Sequence, residues 1–179
     1  RGAVSIAGPA EMFAPRFFAT SGPAFLMIAG TEDAFVPYDG NAGPLLAKLP
    51  AAQLFTIRGG SHLGFTEFAA TWMRFNDNPD ATACAAFSEE AEAPPDGNPF
   101  EPLGGAELGI DVAAWERPCQ RSNWGRALRP QQQHWITAVA VRAFFDSLFA
   151  GDGPARAEAL RYLSEVLPAE QPATRFTMR

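Results

Sequence analysis

Residues 23–38 read Pro23-Ala24-Phe25-Leu26-Met27-Ile28-Ala29-Gly30-Thr31-Glu32-Asp33-Ala34-Phe35-Val36-Pro37-Tyr38, and residues 52–65 read Ala52-Gln53-Leu54-Phe55-Thr56-Ile57-Arg58-Gly59-Gly60-Ser61-His62-Leu63-Gly64-Phe65. Each is a short apolar run that ends in a glycine-containing turn, and each turn carries a group able to work on protons, Asp33 in the first and His62 in the second. A continuous apolar run such as Phe25 to Ala29 is the pattern of a parallel strand covered on both faces. The β-rich residues from Ala52 to Arg58 supply a second. Between them Asn41 to Lys48 is compatible with a helix despite Pro44, and Leu49-Pro50 stops it. Strand, helix, strand with a short crossover is a parallel βαβ unit.

Working outward, Gly2 to Gly8 is a short apolar run closed by Gly-Pro, read as a third strand buried on both faces. Residues 9–22 carry Met12, Phe13, Phe17 and Phe18 in a spacing that suits either a helical turn or an aromatic-rich loop. Thr66 to Arg74 has helical spacing of Phe68, Trp72 and Met73. Residues 76–125 then hold Asn-Asp-Asn-Pro, Ala-Pro-Pro-Asp-Gly-Asn-Pro and Gly-Gly without sustained periodicity. They read as an elaborated insertion, tied by cysteines, with too little aliphatic surface for a core of its own. Periodicity returns from Gln131 to Phe149, where Trp135, Val139, Arg142, Phe145 and Phe149 recur at steps of three or four before Gly151. A last helix is expected over Ala155 to Leu167, with Leu160, Leu163 and Leu167 on one face, and Ala173 to Arg179 as a loose tail.

The totals narrow the partners. The chain has 179 residues, 47% of them hydrophobic, enough for one domain with a buried core. Its net charge is −6, and Lys48 is its single lysine, so no basic stripe exists to neutralise phosphates and nucleic acid is not expected as a partner. No apolar run approaches the ~20 residues that span a bilayer. The chain opens on Arg1 and shows no signal-peptide pattern, which reads as a processed or truncated start. Cys84 and Cys119 flank the Pro/Gly-rich region. A disulfide between them would fit a secreted or periplasmic protein; two free buried thiols are the alternative. Two histidines without paired spacing, and cysteines without a C-x-x-C partner, give no metal site, and no cofactor is expected.

An acid and a histidine at the ends of neighbouring parallel strands are two members of a Ser-His-Asp arrangement. At Gly30-Thr31-Glu32-Asp33, followed by Val36-Pro37, and at Gly59-Gly60-Ser61-His62, the sequence resembles the C-terminal half of an α/β-hydrolase, near the dienelactone-hydrolase-like and cutinase-like polyester-hydrolase esterases. The match covers residues 2–68 and, in pattern, residues 131–163. It implies a partial α/β-hydrolase fold: the last parallel strands of the sheet with flanking helices, an insertion over about 76–130, and final helices over about 131–167, together forming one C-terminal portion of the domain. It further implies a carboxylic-ester hydrolase in which Asp33 orients His62 and His62 is general base and then general acid. The family's Gly-x-Ser-x-Gly nucleophile elbow is missing from residues 1–179, with none of the serines fitting it. The serine is therefore expected upstream of Arg1 or on a partner chain, the chain alone is expected to be inactive, and its half sheet is expected to expose an unpaired edge that promotes association.

Other readings stand beside these. Asp33 could serve only as a turn cap. Glu32 is the neighbouring carboxylate and is set aside because its side chain should diverge from that of Asp33. His134 lies on a helix that opens with three glutamines and reads as a solvated or packed helix position. Ser61 adjoins His62, and side chains adjacent in a turn diverge, so it is not taken as the nucleophile. Phe35, Tyr38 and Phe65 flank the site and are candidates to line an acyl pocket for a small-molecule or polymeric ester, with plain packing as the alternative. The rival functions are a non-catalytic binding or scaffold protein that keeps half a hydrolase sheet, and another chemistry of the same fold, a peptidase or a dehalogenase.

Overall fold

The computed structural model describes every residue except 20–21, 91–100, 121–123, 152 and 179. Its centre is a four-stranded mixed sheet in the order β1 (Gly2–Ile6), β2 (Ala24–Gly30), β3 (Gln53–Ile57), β4 (Thr174–Met178). The first three strands are parallel, with Ile28 opposite Ile6 on one side and Phe55 on the other, and β4 runs antiparallel to β3. This is an α/β class of architecture.

Strand alternation builds two cores. On one face Leu26 and Ile28 of β2 and Phe55 and Ile57 of β3 pack beneath the long helix α4 (Pro130–Phe149), together with Leu163 and Leu167. On the other, Met27, Ala29 and Leu54 meet Leu45 and Leu46 of the short helix α1 (Leu45–Lys48), together with Ala10, Ala42 and Ala52. The expected helix from Asn41 is thus a turn that tightens into one helical turn only after Pro44. Buried Asn41 explains the turn: its Oδ1 accepts from the N–H of Ala10 at 2.7 Å and of Glu11 at 2.9 Å, so its side chain serves the β1–β2 connection and not a helix.

Several expectations are corrected. Residues 174–178 are no loose tail: Thr174 faces Ile57 and Phe176 faces Phe55, so the terminal segment covers the edge of β3. β1 is not buried on both faces; it is an edge strand, half-buried along its length and exposed at Ile6. Among the described residues no strand pairs with its outer edge. α4 has the expected extent, but its buried face is made of other residues, and of the expected stripe only Val139 and Phe145 reach the core, half-buried at its margin. Gln133, Ile136, Thr137, Ala140, Ala143, Phe144 and Ser147 are buried, while Trp135 and Phe149 are exposed. Likewise Phe68 and Trp72 of helix α2 (Glu67–Trp72) point to solvent, and only Ala69 is buried.

The insertion contains helix α3 (Pro79–Glu90), followed by short 3₁₀ turns at Ala106–Leu108 and Val112–Ala114. Cys84 on α3 and Cys119 form a disulfide. The Pro/Gly run at 93–99, read as turn-forming, lies outside the described residues. Within residues 9–19 lies a 3₁₀ turn, Pro15–Phe18, where the Phe13 ring stacks on Phe17 and Phe18 stands edge-on to both. The expected last helix is α5 (Pro154–Arg161), a π-type turn (Tyr162–Val166) and α6 (Leu167–Glu170). Among the described residues no helix is long and apolar enough to cross a membrane.

Candidate active site

β2 and β3 are adjacent and parallel, so the turns that follow them leave the same rim of the sheet. Two glycines let those turns touch. A side chain at Gly30 would overlap the backbone of Gly60, and one at Gly60 would come within 2.9 Å of the Gly30 Cα. With neither side chain present, the Glu32 N–H donates to the Gly60 carbonyl at 2.8 Å and the Gly59 N–H to the Thr31 hydroxyl at 2.9 Å. Gly59 adopts φ +75°, a conformation that glycine reaches without steric cost.

Asp33 and His62 meet across this junction. One Asp33 oxygen, Oδ1, accepts from the N–H groups of Phe35 at 2.9 Å and Val36 at 2.7 Å. The other, Oδ2, lies 3.0 Å from His62 Nδ1. Asp33 thus caps its own turn and presents its second oxygen to the histidine at once. An ionised carboxylate can only accept, so the proton of this bond sits on Nδ1 and proton transfer falls to Nε2. The acid is 1% exposed and the ring 31%, so Asp33 is sealed behind a histidine that keeps an open side. The Phe35 ring stands 5.1 Å from the imidazole, tilted by 34°.

The loop bearing His62 is gripped by two residues that the sequence reading did not single out. Asp80, in the first turn of α3 and wholly buried, accepts from the His62 N–H at 2.7 Å and the Leu63 N–H at 2.8 Å; it also accepts from the Ala34 N–H at 3.0 Å. Gln133 of α4, also wholly buried, pairs with Ser61 through both amide atoms: the Ser61 N–H donates to Oε1 at 3.0 Å and Nε2 donates to the Ser61 carbonyl at 2.7 Å. Ser61 itself is buried, its hydroxyl accepting from the Gly64 N–H at 3.2 Å. The start signal for α3, Asn78 as cap and Pro79 in the first position, stands in the sequence; the inward turn of Asp80 has no local signature.

Burial pulls the pKa of His62 down, but the hydrogen bond it donates to Asp33 and the negative charges of Asp33 and Asp80 outweigh it, and the net direction is up from 6.5. Asp80 is also raised, from 3.8: burial pushes it up, the three backbone donors pull it down, and the Asp33 charge adds to the rise.

Phe35 lines the site. The Tyr38 hydroxyl bonds Thr56 Oγ1 at 2.7 Å and its ring packs on the α1 side of the sheet, away from the α4 side on which half-buried Phe65 rests. His134 is half-buried on α4. Glu32 lies near Gly125 of the insertion. Among the described residues no cluster of three or more His, Cys, Asp and Glu side chains could hold a metal ion. No family model, curated protein or solved structure matches the chain.

Proposed function

We propose that the chain carries the acid and the histidine of a serine-dependent carboxylic-ester hydrolase, on the last parallel strands of a partial α/β-hydrolase fold. The observation that carries this reading is the 3.0 Å contact between Asp33 Oδ2 and His62 Nδ1 at one rim of adjacent parallel strands, with the ring partly open to solvent. The serine and the oxyanion donors come from polypeptide outside residues 1–179. His62 Nε2 takes the serine proton as the hydroxyl attacks the ester carbonyl, and Asp33 stabilises the imidazolium so formed. The same proton then goes to the departing alcohol, and His62 activates a water that releases the carboxylic acid. Phe35, beside the imidazole, supplies apolar contact to the acyl group, whereas Tyr38 and Phe65 support the turns from within the two cores. The disulfide suits an oxidising compartment, secreted or periplasmic.

Phe68, Trp72 and Phe75, all exposed just beyond the His62 loop, favour a second reading, in which this end of the chain is a contact surface without chemistry. Fluorophosphonate labelling of the chain joined to its serine-bearing segment separates the two. The hydrolase reading requires labelling that is lost in His62→Ala. Wild-type labelling of that variant refutes the role of His62, and no labelling of either protein supports the contact surface.

A further inference from the structure

We propose that Asp80 is a positioning residue of this site, its buried carboxylate locking the turn that holds Asp33 to the turn that holds His62. The inference rests on the reading of Asp33 and His62 as an acid–base pair. An Asp in the first turn of a helix ordinarily caps that helix with its own side chain. In α3 that task belongs to Asn78, whose Oδ1 accepts from the Asp80 N–H at 3.0 Å and the Ala81 N–H at 3.4 Å. Asp80 is thereby freed to reach across the chain. Its Oδ2 accepts from Ala34, the residue after Asp33, and from His62; its Oδ1 accepts from Leu63. Burying a carboxylate without such donors is strongly unfavourable, so three N–H groups converging on one buried side chain mark a built arrangement and not a chance contact.

The insertion anchors this lock from a second side. Cys84 follows Asp80 by one helical turn and is bonded to Cys119, and the Cys119 N–H donates to the Ala34 carbonyl at 2.8 Å. The peptide groups of Ala34 are therefore held at both ends, N–H by Asp80 and carbonyl by Cys119. Because Ala34 adjoins Asp33, the insertion fixes the acid's backbone, while its carboxylate fixes the histidine's. Asp80 also places negative charge beside the imidazole, which a neutral tie would not.

The test is an NMR pH titration of His62 in wild type and Asp80→Asn. The amide keeps one acceptor oxygen and turns an N–H₂ toward a backbone donor, so the variant loses both the charge and part of the lock. We expect His62 to titrate at lower pH than in wild type, and serine labelling of the joined protein to slow by about ten- to a hundredfold. A folded Asp80→Asn protein with an unchanged His62 titration overturns the proposal, since a purely structural tie would cost stability alone. Should that variant fail to fold, Asn78→Ala retains the Asp80 carboxylate but removes the cap that seats it. Amide exchange at Ala34, His62 and Leu63 should then accelerate together, and unchanged protection of all three overturns the proposal. Absence of labelling in wild type counts against the hydrolase reading alone, because the titration reports Asp80 independently.

Discussion

The backbones of Gly30 and Gly60 lie so close that neither position has room for a Cβ, and this contact brings the ends of β2 and β3 together. Everything at the rim follows from it: the Glu32 to Gly60 hydrogen bond, then the approach of Asp33 to His62. Gly30→Ala forces a methyl into the Gly60 peptide, where no flexible side chain can yield. Overpacking of this kind costs about 1–3 kcal/mol, and chemical denaturation should show a loss in that range. The same variant should separate the two turns, seen as loss of the low-field Nδ1 proton signal of His62.

The disulfide predicts a large stability effect. Cys84 and Cys119 are separated by 35 residues, and in the chain-entropy model a loop of that size contributes about 4 kcal/mol by restricting the unfolded chain. Reduction by dithiothreitol, which delivers two electrons and two protons to give two thiols, should lower the denaturation midpoint accordingly. It should also speed amide exchange at Cys119, whose N–H is bonded to Ala34.

The inward face of α4 yields a paired prediction. Ile136 is wholly buried, so Ile136→Ala should cost about 2–5 kcal/mol. Trp135, its neighbour, is 49% exposed, and Trp135→Ala should change stability by less than about 1 kcal/mol despite the larger side chain. Equal losses from the two variants would mean the helix presents a different face.

The strands and turns that carry the pair were legible because buried parallel strands are written as unbroken apolar runs and their turns as glycines. The face of α4 was not legible for the converse reason. Its buried stripe carries only two large apolar residues, Ile136 and Phe144, among Gln133, Thr137, Ala140, Ala143 and Ser147, which are small or polar, while aromatic Trp135 and Phe149 decorate the outside. β4 was hidden because a five-residue strand at the chain end, carrying Arg175, offers too little pattern. Asp80 was hidden because its role depends on loops that are 17 to 46 residues away.

β4 also predicts behaviour in solution. Removing residues 173–179 would strip the covering strand from β3, deleting the Phe55–Phe176 pairing and the bond from the Arg58 N–H to the Ala173 carbonyl at 2.7 Å. The exposed edge should pair between molecules, so light scattering should detect larger species than in the intact chain. An unchanged particle size would show that β4 does not protect the edge.

Stability should depend on pH through His62. The folded state raises its pKa above 6.5, so the native protein binds more protons than the unfolded chain between that value and the raised one. Stability from this group is therefore fully present below pH 6.5 and falls as pH rises through the folded value. Asp80, raised from 3.8, acts in the same sense in the acid range. In Asp33→Asn the decline near neutrality should flatten, as measured by urea denaturation across that range.

The most direct test of the account is the His62 titration followed by NMR in wild type and Asp33→Asn. Asparagine retains an oxygen for the Phe35 and Val36 N–H groups but offers no charge, and its amide forces Nδ1 to accept. The His62 pKa should lie above 6.5 in wild type and drop in the variant, with the proton moving from Nδ1 to Nε2. Identical titrations and the same tautomer in both proteins would contradict it.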